Sequence, residues 1–116
     1  MRVNYAILRH EGIAAPHFDL LFETRPRSEL AAWRSAQWPI EAAVTLVRLK
    51  DHRRVYLEYE GELSERRGFV RRVAHGTCEL EIGENAVWTI RLLTGSTPQK
   101  LVIRQIKDEQ WEVFSQ

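Results

Sequence analysis

Short runs of β-branched and aromatic residues recur along the whole chain, and polar, glycine or proline residues separate them. Such spacing is typical of the strands of a small sandwich or barrel. We therefore predict an all-β, mainly antiparallel fold with at most one short helix. The runs span residues 3–8, 18–23, 43–49, 55–59, 68–74, 77–82, 87–93, 101–106 and 111–114.

Three polar segments predict the connections in the last third of the chain. Residues 83–85 and 94–98 are rich in turn-forming residues, and residues 107–110 are typical of a hairpin connection. These turns indicate a meander of neighbouring antiparallel strands. The segment 28–37 stays open: Ser28 is a possible helix N-cap, but the same residues also suit a strand.

Length, charge and cysteine content limit the kind of protein that this chain can be. The 116 residues predict a single domain, and 17 basic against 16 acidic side chains give a net charge of +1. A polyanion would therefore have to bind a local basic patch, because the global charge does not favour it. The single cysteine, Cys78, permits no internal disulfide. No signal sequence or membrane span is evident, so we expect a cytoplasmic protein with no membrane partner.

The run from His17 to Glu23 alternates polar and apolar residues except at Leu21. In a strand, His17, Asp19 and Glu23 share one face with Leu21, and the apolar residues between them face a core. The polar face is expected to point into a cleft or solvent. Together with His10, the imidazole of His17 and the carboxylate of Asp19 suit a divalent metal such as Mn²⁺ or Zn²⁺. The alternative is two surface imidazoles without a metal.

Two basic stretches are candidates for contact with phosphate. His52 lies in one of them and can hydrogen-bond a phosphate oxygen or donate a proton, with the Tyr56 hydroxyl four residues on. A solvated turn is the simpler interpretation of that stretch. The second holds four arginines around Phe69, which suit phosphate and a stacked base, or simply an exposed edge strand. These arginines are Arg66, Arg67, Arg71 and Arg72.

Four features follow one another along the chain: His10, the block from His17 to Glu23, the pair Asp51-His52, and Tyr56 leading into Tyr59-Glu60-Gly61. In this order they resemble the 3′-phosphoesterase domain of bacterial DNA ligase D. That family has a His, a His-x-Asp-x-Arg-x-Glu strand, an Asp-His segment with a Tyr four residues later, and an aromatic-Glu-Gly turn. The resemblance covers most of the chain. It implies a small closed β-barrel.

The resemblance also implies a function. Members of the family hold Mn²⁺ in a cleft and remove 3′-phosphates and 3′-ribonucleotides from DNA ends during end-joining repair. Here the metal ligands would be His10, His17 and Asp19, and the catalytic contacts would come from His52 and Tyr56. Nucleic-acid 3′ ends are then the expected partner, with a repair ligase or polymerase as a possible second one.

Two positions depart from the family pattern. Leu21 and Val44 stand where the family has arginines of its phosphate clamp, and an apolar side chain cannot replace a guanidinium there. Arg48, Arg53 and Arg54 are candidates to contact the phosphate instead, as is the second basic stretch. The alternative function is a binding module for nucleic-acid ends or a protein partner, which keeps the barrel and the metal but has lost the chemistry.

Overall fold

A computed structural model of the chain describes residues 1–93 and 99–116. The turn predicted at residues 94–98 lies outside the described residues. Short single turns of 3-10 helix at Arg54–Leu57 and Glu84–Ala86 are the helical elements of the described part. The strands are β1 (Arg2–Glu11), β2 (His17–Glu23), β3 (Leu30–Ser35), β4 (Val44–His52), β5 (Gly61–Glu62), β6 (Phe69–Ile82), β7 (Trp88–Leu92), β8 (Gln99–Lys107) and β9 (Gln110–Ser115).

Eight of these strands form a closed antiparallel barrel. Their order around the barrel is β1-β2-β3-β4-β9-β8-β7-β6, and β6 pairs with β1 to close it. The short β5 pairs with the free edge of β6 as an additional strand. Each of the eight barrel strands therefore pairs with a neighbouring strand on both sides. The prediction of an all-β closed barrel with little helix is confirmed.

The barrel interior is filled by alternate residues from all eight strands, as the two-residue period of a strand requires. Trp33 lies at its centre, with its ring centroid 4.9 Å from that of Trp88 and 5.4 Å from that of Trp111. Cys78 is fully buried in the same core, and burial raises the pKa of its thiol to about 12. The thiol therefore stays protonated and serves as a packing residue.

A second apolar cluster lies on the outside of the barrel. Its barrel residues point outward from β1, β2, β3 and β6 and include Leu8 and Leu21, both almost fully buried. Residues 53–68, here called the cover segment, connect β4 to β6 by way of β5 and pack Tyr56, Tyr59 and Leu63 onto this wall. Burying a leucine-sized side chain contributes about 1.5–3 kcal/mol. The cover segment is thus held against the wall by ordinary apolar packing.

A register shift in β6 sets which of its side chains reach this wall. It lies opposite Ile7 and Leu8, where the partner of β1 moves from Ala74 to Arg72. Such a bulge changes the face to which the following residues point. Val70 therefore joins the outer cluster, while Cys78 belongs to the interior.

Several local predictions need correction. Residues 55–59 form no strand, because the chain turns there over the outer wall. Residues 68–74 and 77–82, predicted as two separate runs, belong to one continuous strand, β6. Segment 28–37 contains strand β3 and no helix. The two-residue connection between β8 and β9 agrees with the predicted hairpin. No described helix has the length and apolar character needed to cross a membrane.

Candidate metal centre

His10, His17 and Asp19 meet on the outer side of the β1–β2 pair. His10 lies directly opposite His17 in the register of the two strands, and Asp19 is opposite Leu8. Directly opposed residues on one face of an antiparallel pair have Cβ atoms about 4.5–5.5 Å apart. The strand pairing itself therefore brings the three side chains together.

One ligand atom from each residue lies within 4.8 Å of the other two. His17 Nε2 is 3.3 Å from Asp19 Oδ1, and His10 Nδ1 is 3.8 Å from Asp19 Oδ2. The two imidazole rings are 4.9 Å apart at an angle of 68°. His17 and Asp19 are buried, and His10 is half-buried. The arrangement is compact enough for one ion to touch all three residues.

The other nitrogen of each imidazole is bound to a backbone carbonyl. His17 Nδ1 is 2.8 Å from the Ala15 oxygen, and His10 Nε2 is 2.6 Å from the Arg67 oxygen. Because a carbonyl only accepts hydrogen bonds, these two nitrogens must carry the protons. In the neutral rings the remaining nitrogens, which face Asp19, hold lone pairs. Carbonyls in this position orient metal-binding histidines in many proteins.

With both imidazoles neutral, Asp19 completes a group of three hydrogen-bond acceptors. Its Oδ1 is a buried side-chain oxygen without a hydrogen-bond partner in the described part of the chain. Buried carboxylate oxygens are normally paired, and an unpaired one is costly. A divalent cation would satisfy both lone pairs and the carboxylate at once. Two nitrogens and one oxygen form a donor set that suits Mn²⁺ or Zn²⁺ and leaves coordination positions open.

Gly68 places the carbonyl that holds His10. Its φ angle is +79°, and a Cβ atom there would lie 2.1 Å from the Glu11 carbonyl oxygen. Only glycine therefore permits the close approach of the cover segment to the end of β1. The Arg67 carbonyl, one residue earlier, reaches His10 as a result. Sequence reasoning could not find this contact, because any residue type supplies a backbone carbonyl.

The three residues line a cleft of about 430 Å³ between the outer wall and the cover segment. His52 and Tyr56 line the same cleft, so the structure brings both predicted catalytic residues to the metal group. His52 Nδ1 is bound to the Lys50 carbonyl at 2.9 Å, and its ring meets the Tyr56 ring edge-on at 5.8 Å. In the neutral ring, His52 Nε2 therefore carries a lone pair.

Four cations line the cleft as well: Arg34, Lys50, Arg53 and Arg67. Arg34 was not predicted. It lies directly opposite Asp19 in the β2–β3 register and is exposed. The signal that could have found it was the strand interpretation of segment 28–37, which places residue 34 next to residue 19 once β2 and β3 pair.

The three predicted phosphate contacts have different positions. Arg53 lines the cleft, with its guanidinium 5.9 Å from the Tyr56 ring centroid. Arg48 instead lies over Trp33 at 4.6 Å, and it donates to the Ala32 carbonyl.

Arg54 is bound to the Glu23 carboxylate on another part of the barrel surface. Both Arg48 and Arg54 therefore have roles in the fold.

The second basic stretch is divided between several places. Arg67 reaches the cleft, where its side chain is fixed by hydrogen bonds to Ser64. Arg72 donates to Glu60 and to the Leu57 carbonyl, which ties β6 to the cover segment. Arg71 lies 3.8 Å from Glu11. One arginine of the four therefore belongs to the candidate site.

The remaining members of the polar face of β2 do not reach the cleft. Leu21 is fully buried in the outer cluster, and Glu23 is 2 % exposed. Glu23 accepts hydrogen bonds from Arg54, Asn4 N and Arg27 N. Burial alone would raise the pKa of Glu23, but these hydrogen bonds and the Arg54 charge together lower it below its ordinary value.

Comparison with protein-family models finds no match to this chain, and comparison with curated proteins finds no significant match. The resemblance to the ligase D phosphoesterase domain therefore rests on the residues quoted from the sequence.

Proposed function

We propose that this protein is a metal-dependent phosphoesterase that acts on nucleic-acid 3′ ends and removes 3′-phosphates or 3′-ribonucleotides, as in DNA end repair. The observation that carries the proposal is the group of three acceptors formed by His10, His17 and Asp19 inside a cleft with a basic lining. The three acceptors favour binding of a cation. The bound cation and the basic lining together favour binding of an anion such as phosphate.

The metal proposed for the group is Mn²⁺, with Zn²⁺ as the alternative. His10 Nδ1, His17 Nε2 and Asp19 would hold it, and the Ala15 and Arg67 carbonyls keep the two rings in the necessary orientation. Two neutral ligands and one carboxylate leave a net positive charge at the centre, which favours binding of phosphate. Bound there, a divalent cation supplies Lewis-acid polarisation of a phosphoryl oxygen.

His52 is proposed to transfer a proton or to hydrogen-bond the phosphate, and Tyr56 is proposed to support it. With Nδ1 bound to the Lys50 carbonyl, His52 presents Nε2 as the nitrogen that exchanges a proton. In its charged form it hydrogen-bonds a phosphate oxygen or donates a proton to the leaving oxygen. Tyr56 packs against the His52 ring and limits its rotation.

The basic residues of the cleft are proposed to replace the missing family arginines. The two matching positions carry Leu21, buried under the cover segment, and Val44, buried in the barrel core. Arg34, Arg53 and Arg67 line the cleft from other parts of the chain. Guanidinium groups at these positions can form charge-assisted hydrogen bonds to a phosphate, which strengthen as charge develops on the reacting group.

A second function is favoured by the same two positions. The burial of Leu21 and Val44 excludes any phosphate contact there, and Arg48 and Arg54 are occupied elsewhere. A protein that kept the metal and bound a nucleic-acid end without hydrolysing it would show the same cleft. Both functions predict binding of the metal and of a nucleic-acid end, and only the phosphoesterase predicts hydrolysis.

The decisive experiment measures hydrolysis of a labelled primer-template that ends in a 3′-phosphate or a single 3′-ribonucleotide, with Mn²⁺ and with EDTA. The variants are His17→Ala, His52→Ala and, as a matched control outside the cleft, His75→Ala. Mn²⁺-dependent trimming that is lost in the first two variants and kept in the third supports the phosphoesterase. Absence of trimming, with Mn²⁺ and the DNA end both bound, supports the binding module.

A further inference from the structure

A second cavity adjoins the metal cleft, and its position bears on the substrate. Its volume is about 420 Å³, and all of its lining residues come from the cover segment. It shares Arg53, Tyr56, Leu63 and Arg67 with the metal cleft. A ligand bound through a phosphate in the first cleft therefore has its substituent next to the second.

The residues that belong to the second cavity alone differ in character from those of the metal cleft. They are Val55, Tyr59, Glu62 and Ser64. The Tyr59 ring stands at 86° to the Tyr56 ring with 6.0 Å between the centroids, and Val55 is 52 % exposed at the rim. Aromatic and apolar surface of this kind suits a planar ring, because nucleobases stack on aromatic side chains without regard to sequence.

Among the residues that line this cavity alone, Glu62 is the single charged one; Arg53 and Arg67 are shared with the metal cleft. A carboxylate repels an anion but accepts hydrogen bonds from ribose hydroxyls or from the amino group of a base.

Arg67 lines both cavities, and hydrogen bonds to Ser64 hold its guanidinium in place.

We infer that the second cavity binds the nucleoside whose 3′-phosphate lies in the metal cleft. The inference rests on the proposed function and names its ligand as a nucleoside 3′-phosphate, either free or at the end of a strand. Tyr59 stacks on the base, and Glu62 accepts a hydrogen bond from the sugar or the base. The volume is within the range of about 300–1,000 Å³ that is usual for small-molecule sites.

The test compares ligands on the Mn²⁺-loaded protein by calorimetry at 4 °C, with each ligand checked afterwards for hydrolysis. Adenosine 3′-phosphate is expected to bind about tenfold more tightly than inorganic phosphate, as one base stacked on an aromatic ring would provide. Glycerol 2-phosphate, an ester without a base, is expected to bind like inorganic phosphate. Equal affinity for all three ligands would overturn the inference and leave the proposed function intact.

Two variants test whether the tighter binding of the nucleotide depends on the second cavity. Tyr59→Leu keeps the apolar packing but removes the ring, and we expect it to abolish the tenfold advantage of the nucleotide. The matched control is Phe69→Leu, since Phe69 is another partly exposed aromatic residue (41 %), near the same segment. Equal losses in both variants would contradict the assignment.

A second pair of variants avoids any question of folding. Val55→Trp fills the cavity from its exposed rim and should also abolish the advantage. Val47→Trp, at a valine of similar exposure (46 %) on β4, should leave it unchanged. Retention of the full advantage in Val55→Trp would overturn the inference.

The source of the nucleoside is decided by a trinucleotide that ends in a 3′-phosphate. If Tyr59→Leu weakens its binding as it weakens that of adenosine 3′-phosphate, the cavity takes the end of a strand. If only the mononucleotide responds, the cavity takes free nucleotides; both results support a nucleoside site. Failure of the protein to bind Mn²⁺ or inorganic phosphate would instead remove the proposed function, and this inference with it.

Discussion

Asp19 and Glu23 are two buried carboxylates on the same face of one strand, and their surroundings are opposite. Glu23 accepts hydrogen bonds from one guanidinium and two backbone N–H groups. Asp19 has a buried oxygen without a partner and faces two imidazole nitrogens. Burial is nearly the same, 2 % and 5 % exposed, so burial does not distinguish them.

The difference shows how a structural carboxylate is told from a ligand. A buried charge that the fold itself has paired stabilises the protein as it stands. A buried carboxylate that the fold has surrounded with lone pairs costs free energy until a cation binds. Glu23 belongs to the first kind, and we assign Asp19 to the second.

The largest effect is expected from neutralising Glu23 in metal-free buffer. Glu23→Gln should lower the free energy of unfolding by about 2–3 kcal/mol, because charge-assisted hydrogen bonds are lost. Asp19→Asn, the matched isosteric change, should leave stability unchanged or raise it, because an unpaired charge is removed. Urea unfolding in EDTA measures both. Equal destabilisation by the two variants would show that Asp19 is structural as well.

Mn²⁺ binding should depend on Asp19 and not on Glu23, the opposite of the stability of the metal-free protein. Mn²⁺ at about 100 times its dissociation constant should stabilise the wild-type protein by about 2.7 kcal/mol, or roughly 10 °C in Tm. Glu23→Gln should keep this increase, and Asp19→Asn should lose it. Thermal unfolding with and without Mn²⁺ is the measurement. An increase that persists in Asp19→Asn would refute the assigned ligand.

A change in the cover segment near His10 should weaken metal binding at Asp19 and leave the Glu23 contacts unaffected. In Gly68→Ala the new Cβ would meet the Glu11 carbonyl, so the chain must shift and take the Arg67 carbonyl away from His10. Loss of such an orienting contact typically weakens metal binding about 10–100-fold. Gly83→Ala is the matched control, because its Cβ would have 3.7 Å to the nearest atom. Titration with Mn²⁺ should show the loss in the first variant only.

The smallest effect is the pH dependence contributed by Glu23. Its pKa is lowered in the folded protein from an ordinary value of 4.5. Its contribution to stability is therefore fully present above about pH 4.5 and is lost as the pH falls through the folded-state pKa. The difference in Tm between the wild type and Glu23→Gln should be constant near pH 6 and shrink below pH 4.5. A difference that grows on acidification would reverse the assigned sign.

Much of the strand pattern was predictable because it depends on neighbours in the chain. The alternation in β2 correctly separated Leu20, which faces the core, from Asp19 on the opposite face. The same reasoning failed at residues 55–59, where apolar residues pack on the outer wall without forming a strand. It also divided β6 into two runs, because His75 and Gly76 interrupt the pattern of strand-forming residues. In both cases tertiary packing overruled a local signal.

The candidate site divides in the same way. The alternation of β2 alone puts His17 and Asp19 on one face, and the short spacing from His10 to His17 added the third residue. Arg34 and the Arg67 carbonyl reach the site only through strand pairing and the path of the cover segment. Arg54 was expected at a phosphate and binds Glu23 instead. Residue type does not reveal which of several nearby arginines a buried carboxylate will take.

The chain alone thus indicated an all-β fold, the two faces of β2 and the grouping of His10, His17 and Asp19, because a period of two and short spacings are local properties. The closure of β6 onto β1, the packing of the cover segment and the partners of Asp19 and Glu23 depended on the folded barrel. These contacts join residues as far apart as His10 and Arg67. Their geometry is set by the packing of the whole molecule, to which distant parts of the chain contribute together.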